Sequence, residues 1–417
     1  TGCNGAFFSS NPASAMVSRI GGVGGPNPYQ QDDWSVQNVF SAVANFNTGT
    51  IKHQMIAGVD VEHIYDRRRN YSYNNPQARQ HTSLINPNPN VPGLDVGTDP
   101  ANYGNLVNIP GVGRKEWKTS SATDVGAFFS EQAWLAPWFS VKAGFRWDHW
   151  SSNYAATGGE QIKPDVRLGQ TQDTFNPNVS LMYTPNDHSM IYFNWAESTT
   201  PLGLYVTNSS EPLKSSTQNL KPERSRLYEI GAKYSALHDR IGFTASVFRL
   251  EKGNSMLTDP SSGTVQSSGD AQRNQGLELS VSGQLLKNWN MIATYARYDS
   301  LTTSGAAADV GKQVQYVPRN QATVWSTYEI APRTLYNLTV GGGVTWREGV
   351  FLDTANTARV PANVEFDAVV SHQFGSHWKV AMNGYNLANL LNYGNLFSNR
   401  VTPSVGPAFL FNLFANY

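Results

Sequence analysis

The chain has 417 residues with 31 basic and 31 acidic side chains, so its charge balance gives no reason to expect a nucleic-acid partner. Mean hydropathy is −0.41 and no apolar run approaches 18 residues, which excludes a membrane protein built of helices but not one built of strands. A single cysteine, Cys3, permits neither an internal disulfide nor a cysteine metal cluster.

Residues 1–32 are rich in Gly, Ser, Asn and Pro and predict an extracellular loop segment. No basic start followed by an apolar core opens the chain, so no signal peptide is read there. From Trp34 onward, strand follows strand. About fifteen are predicted, near 34–46, 51–67, 116–134, 139–153, 173–183, 190–199, 223–235, 241–253, 271–283, 289–302, 315–328, 335–348, 362–373, 378–391 and 408–417. No amphipathic helix competes with them.

Alternation is clean in several. Met55, Ala57, Val59 and Val61 oppose Gln54, Gly58, Asp60 and Glu62. Phe139, Val141, Ala143, Phe145 and Trp147 oppose Ser140, Lys142, Gly144, Arg146 and Asp148. Tyr228, Ile230, Ala232 and Tyr234 oppose Glu229, Gly231 and Lys233. A soluble sandwich alternates too. The connections separate the cases. Short ones at 47–50, 135–138, 184–189, 236–240, 284–288, 329–334 and 374–377 alternate with long ones at 68–115, 154–172, 200–222, 254–270, 303–314, 349–361 and 392–407. Such a meander is what an outer-membrane barrel makes, with tight periplasmic turns and long external loops.

Tryptophan sorts by strand end. Trp289 and Trp378 follow short turns, whereas Trp147, Trp195 and Trp346 lie towards the long loops, as two interfacial girdles require. The chain ends on AFLFNLFANY, in which Phe409, Phe411, Leu413 and Tyr417 share one face. This resembles the C-terminal assembly signal of bacterial outer-membrane barrels.

Longer motifs sharpen the resemblance. AFFSEQAWLAPWFSVKAGFRWD, with Gly144, Arg146 and Asp148, is similar to a hairpin of TonB-dependent siderophore receptors. Tyr183-Thr184-Pro185 at the next turn, and Leu220, Pro222, Glu223, Ser225, Glu229, Gly231 and Lys233 in LKPERSRLYEIGAKY, resemble the same family. So does the Gly276-Leu277-Glu278 step. The matches run in family order from about residue 34 to 417, with one departure at Pro407, where many relatives carry Gly-Arg.

The resemblance implies an all-β transmembrane antiparallel barrel, with about 15 strands present of about 22. Residues 33–417 would be its C-terminal part, and the family's N-terminal plug domain is not seen. It also implies an outer-membrane receptor that imports a ferric siderophore, the catecholate type being most similar, through TonB. Iron would be carried only within the substrate, with no cofactor of the protein's own. Expected partners are the siderophore, the TonB complex, outer-membrane lipid and lipopolysaccharide, and the barrel-assembly machinery, the receptor being a monomer. A passive porin, or a receptor for haem or cobalamin, is the alternative.

Catalysis is not expected. No nucleophile, base and orienting residue share a spacing, and the eight histidines form no ligand pattern with Cys or acids. For an anionic, aromatic ferric ligand, Arg and aromatic side chains at the external mouth are the natural contacts. The candidates are Arg67, Arg68 and Arg69 with Tyr71 and Tyr73, together with Trp150, Tyr154, Tyr205, Arg347, Tyr393 and Arg400.

Overall fold

The computed structural model describes residues 16–18, 29–73, 81–83, 112–157, 166–201, 221–254, 256–258, 265–267, 271–397 and 400–415. Fifteen strands form one antiparallel sheet in which each pairs with its neighbours in sequence. They are β1 (Tyr29–Thr48), β2 (Ile51–Tyr73), β3 (Val112–Ala136), β4 (Phe139–Thr157), β5 (Val166–Asn186), β6 (Ser189–Thr200), β7 (Glu223–Ala236) and β8 (Ile241–Gly253). The rest are β9 (Ala271–Leu286), β10 (Trp289–Ser304), β11 (Asn320–Ile330), β12 (Leu338–Arg347), β13 (Asn363–Phe374), β14 (Trp378–Tyr385) and β15 (Ala408–Ala415). β1 and β15 stand at opposite ends of this order and do not pair, so among the described residues the sheet has two open edges. Among the described residues, β15 pairs with β14 alone.

Every predicted strand is present, and the short connections fall where expected. Their residues take the left-handed backbone that tight turns need: Gly49, Leu237, His238, Asp239, Asn288, Ala331, Arg333 and Gly375 all have positive φ. Several boundaries differ. The loop expected over 1–32 is interrupted, because Met16–Ser18 pairs with His81–Ser83 and β1 already begins at Tyr29. The strand expected at 315–328 starts only at Asn320, since Tyr316 has a φ of 67°. The strand expected at 378–391 stops at Tyr385, because Asn386 turns the chain with a φ of 46°. Tyr417 lies outside the described residues.

Period-two alternation gives the sheet two unlike faces. Phe40, Val59, Phe175, Ile230, Phe243 and Phe411 are exposed on the apolar face, Phe40 by 70%, so no layer of the described residues covers that face. The polar face carries the buried Asp60, Ser120, Ser140, Ser152, Thr174 and Ser246. A soluble sandwich would bury the apolar side instead. Aromatic residues gather at both ends of the apolar face. Trp138, Tyr183, Tyr234, Trp289, Tyr328 and Trp378 stand near the short turns, and Trp34, Tyr65, Trp147, Trp195 and Trp346 towards the long loops. Trp34 stacks on Tyr65 across β1 and β2 with ring centroids 5.7 Å apart.

Candidate functional site: the polar wall and its long-loop rim

On the polar face, β2, β3 and β4 bring Asp60, Asp124, Arg146 and Asp148 together. The Arg146 guanidinium meets Asp60 through Nη1–Oδ1 at 2.7 Å and Nη2–Oδ2 at 3.0 Å, and Asp124 Oδ2 at 3.3 Å. It also pairs with Asp148. Gly126 makes this possible: a Cβ there would lie 2.3 Å from Arg146 Nη2. One cation thus stands among three carboxylates on the polar wall.

A second patch spans β6 to β12. Tyr192 donates its hydroxyl to Glu229, Tyr298 donates to Glu278 at 3.0 Å, and Lys233 lies 5.7 Å from the Tyr192 ring centroid. With Arg347 these groups line a trough of about 560 Å³. Only Arg347 among them was expected as a contact. The parity of Glu229 and Lys233 was legible in the sequence, but the trough depends on strands adjacent only after the sheet forms.

The structure divides the arginine run 67–69. Arg67 and Arg69 lie on the apolar-face parity and flank Trp117, their guanidinium carbons 4.0 and 4.3 Å from its ring centroid. Arg68 faces the other way. It shares the polar face with Asp66, which accepts a 2.6 Å hydrogen bond from Gln31 Nε2 and sits opposite Asp33. Burial pushes the Asp66 carboxyl above the usual carboxylate range, and the facing Asp33 adds to this. The three arginines were expected to act together, but a regular pleat places neighbours on opposite faces.

Trp150 and Tyr154 are buried on the polar face, at 4% and 5% exposure. Trp150 packs with Ala122 and Ile64, and Tyr154 with Leu168 and Ala156. Tyr154 pairs with Ser120, which pairs with Asp66, so the rim brings Tyr154 close to Arg68. Arg347 belongs to the trough, far along the strand order from that group. Tyr71 and Tyr73 lie in β2 opposite Arg114 and Val112, but their side chains are outside the described residues. Tyr205 is outside them altogether. Arg400 opens a short strand opposite Phe397, its side chain likewise undescribed. Phe409, Phe411 and Leu413 share the exposed apolar face of β15.

The long connections near the C-terminus are tied by side-chain amides that the sequence did not single out. Asn356 accepts from the Gln313 N–H at 2.8 Å and donates to the Gln313 carbonyl at 2.9 Å, joining the β10–β11 and β12–β13 connections. Asn392 makes the same reciprocal pair with Val364, at 2.9 and 2.7 Å. Asp353 accepts from the N–H groups of Thr357 and Ala358, at 2.9 and 2.7 Å. Although burial acts in the opposite sense, these donors hold its carboxyl below the usual carboxylate range. Tyr393 is fixed by a reciprocal pair with Asn363.

Comparison with known proteins gives one consistent answer. Residues 4–387 match the family model described as TonB dependent receptor-like, beta-barrel. The chain is 28% identical over 396 residues to the probable TonB-dependent receptor BfrD of Bordetella pertussis, covering 91% of this chain and 52% of that protein. Over 271 residues it is 29% identical to the probable TonB-dependent siderophore receptor PiuA of Acinetobacter baumannii, covering 61% and 35%. The crystal structure of PiuA superposes with a TM-score of 0.75 at 22% identity, over 93% of this chain and 56% of that one. The closed form of the ferric-catecholate import receptor Fiu from K12 E. coli gives 0.74 at 20% identity, over 93% and 55%. The chain thus spans about half the length, or less, of the relatives it matches.

Proposed function

From the premise that this chain belongs to the TonB-dependent receptor β-barrel family, whose barrels are bacterial outer-membrane proteins, we propose that the whole protein is a receptor for TonB-dependent uptake of a ferric siderophore. The observation that carries it is the family match over residues 4–387, joined to relatives named as siderophore receptors. The wall supports it chemically. A polar face with Arg146 among carboxylates, and with tyrosines bonded to glutamates, suits a water-filled interior rather than a hydrophobic core.

The ligand is captured at the long-loop end and released to the periplasm unchanged, with no chemistry supplied by the protein. Arg68, with the buried Trp150 and Tyr154 shaping the wall behind it, forms one contact patch and Arg347 another, each guanidinium meeting anionic oxygens of the ligand. Iron enters only as part of the substrate, and the protein holds no cofactor of its own. The apolar row of β15 is read by the barrel-assembly machinery, and the receptor works as a monomer. In cells lacking the native gene, the full-length protein is expected to restore uptake of radiolabelled ferric catecholate, and deletion of TonB to abolish it. Uptake that persists at the same rate without TonB would replace the receptor by a passive porin. Uptake of haem or cobalamin, but of no siderophore, would change the ligand class.

A further inference from the structure

Six of the seven short turns leave two to four residues outside their strands, but the β11–β12 turn leaves seven, 331–337. Hydrogen bonds hold this turn in shape. Ala331 and Arg333 take positive φ, and Thr334 Oγ1 donates to the Ala331 carbonyl at 2.8 Å. Asn337 Nδ2 donates to the carbonyls of Thr334 and Gln373, at 2.8 and 2.9 Å, and its Oδ1 accepts the Gln373 N–H at 2.8 Å. The bonds to Gln373 fix the turn to β13. Leu335 and Tyr336 stand out from it, at 84% and 83% exposure the most exposed large apolar side chains among the described residues. A turn that is already ordered loses little entropy when a partner covers it.

Beside the turn, on the polar face, lies a hollow of about 640 Å³, within the size range of small-ligand sites. Glu329, Thr339 and Ser371 form one cross-strand row along it, and Gln373 and Lys379 form the next. Arg333 and Leu335 reach it from the turn. Hydroxyl and amide side chains supply both the donors and the acceptors that sugar hydroxyls and acetamido groups need. Two cations stand here against one carboxylate, and none of the three is in an ion pair among the described residues. The hollow therefore favours an anionic ligand, whereas a second copy of the chain would bring like charges together.

In an outer-membrane barrel the short turns face the periplasm. The polymer of that space that joins acetamido sugars to short peptides with free carboxylates is peptidoglycan. Its chemistry matches each part of the site: sugar rings for the exposed apolar pair, acetamido groups for the amides and hydroxyls, and carboxylates for the two cations.

We propose that the β11–β12 turn and the hollow beside it bind peptidoglycan, a sugar face packing on Tyr336 and Leu335 and stem-peptide carboxylates meeting Arg333 and Lys379. Glu329 is placed to take the free amine of the stem peptide. The site rests on the outer-membrane assignment but not on the transported ligand. The full-length protein in detergent is sedimented with purified, protein-free sacculi, and its binding of the disaccharide tetrapeptide is read by native mass spectrometry. Wild type is expected to co-sediment, and Arg333→Gln with Lys379→Gln to bind the fragment roughly tenfold more weakly. Tyr336→Ala is expected to weaken it roughly fivefold. The uncharged disaccharide of N-acetylglucosamine, which has no carboxylate for the cations, should bind wild type roughly tenfold more weakly than the complete fragment. Arg240→Gln with Lys287→Gln takes the same charge from two other short turns and should stay within about twofold of wild type.

Heat-modifiable migration on gels checks that each variant is folded. Wild type that stays in the supernatant, or fragment binding unchanged in the folded Arg333→Gln/Lys379→Gln variant, would overturn the proposal. So would equal losses from the two double variants, which would reduce the attraction to the general charge of the short turns. Sacculus binding that persists where siderophore uptake fails would still support the site and count against the transported ligand alone.

Discussion

Arg146 and Asp60 lie 86 residues apart in the chain, yet they form a two-pronged pair on the polar wall, at 2.7 and 3.0 Å. Asp60 is 6% exposed and Gly126 leaves the space through which the guanidinium passes. Arg146→Met would leave three carboxylates facing one another without a cation. The expected loss is about 2–3 kcal/mol, below the full cost of breaking a buried pair because Arg146 is itself partly exposed. The Asp60→Asn/Arg146→Met double variant is expected to lose less than the two single losses added together. Thermal loss of the folded gel band measures both, and additive effects would deny the coupling.

Gly276 and Gly231 both sit where a side chain would collide, but with different neighbours. A Cβ at Gly276 would lie 2.0 Å from the Arg297 carbonyl oxygen, a backbone atom that cannot move without opening the β9–β10 ladder. A Cβ at Gly231 would lie 2.5 Å from the Tyr192 ring, which can swing away at the cost of its bond to Glu229. Gly276→Ala is therefore expected to be the more damaging, by about 1–3 kcal/mol over Gly231→Ala. The order of their unfolding temperatures decides it.

Arg68, not Arg67 or Arg69, is the arginine expected to touch a ligand on the polar side. Arg68→Ala should weaken ferric-siderophore binding by about tenfold, whereas Arg67→Ala with Arg69→Ala should leave it within about twofold. Fluorescence quenching on the full-length protein reads both. Equal losses from the two variants would mean that Arg67 and Arg69 reach the ligand despite the pleat.

The same arginines show where the sequence was legible and where it was not. Alternation and turn chemistry located all fifteen strands, because an exposed apolar face demands strict period two and the short turns carry residues that tolerate positive φ. The second strand was expected to end at 67, so Arg68 and Arg69 read as loop, where side chains can point one way. β2 continues to Tyr73, and its pleat sends them to opposite faces. The end of β14 was equally hidden. Asn386 stops it through side-chain bonds to the Leu390 backbone and by donating its own backbone N–H to the Asp367 carboxylate, partners that exist only after the connection folds back. The acid-rich setting of Arg146 required three strands to be set in register before its partners met.

Asp66 and Asp353, both well beyond the ten or so residues nearest the short turns that cross the membrane, have opposite pH signs. Asp66 is held above the usual range by burial, so the fold favours its protonated form. Its carboxylate costs stability at neutral pH, and the cost is relieved as pH falls through the raised value. Asp66→Asn is expected to raise the unfolding temperature at pH 7 and to have less effect near pH 4. An equal gain at both values would assign the effect to something other than ionisation.

Asp353 behaves in the reverse sense. Its folded value lies below the unfolded one, so its contribution is fully present above the ordinary carboxylate range, near pH 4 and higher. It is lost as pH falls through the depressed folded value. What it stabilises is local: Thr357 and Ala358 donate to it, and the neighbouring Asn356 joins Gln313 across to the β10–β11 connection. Acid is therefore expected to release the two connections together, seen as parallel gains in hydrogen exchange at 353–358 and 313–317. Asp353→Asn keeps the shape but offers one carbonyl oxygen where the carboxylate offers two, so both segments should exchange faster at pH 7, and their response to acid should be largely gone. Acid-driven exchange confined to 353–358, with 313–317 unchanged, would show that the connections open separately.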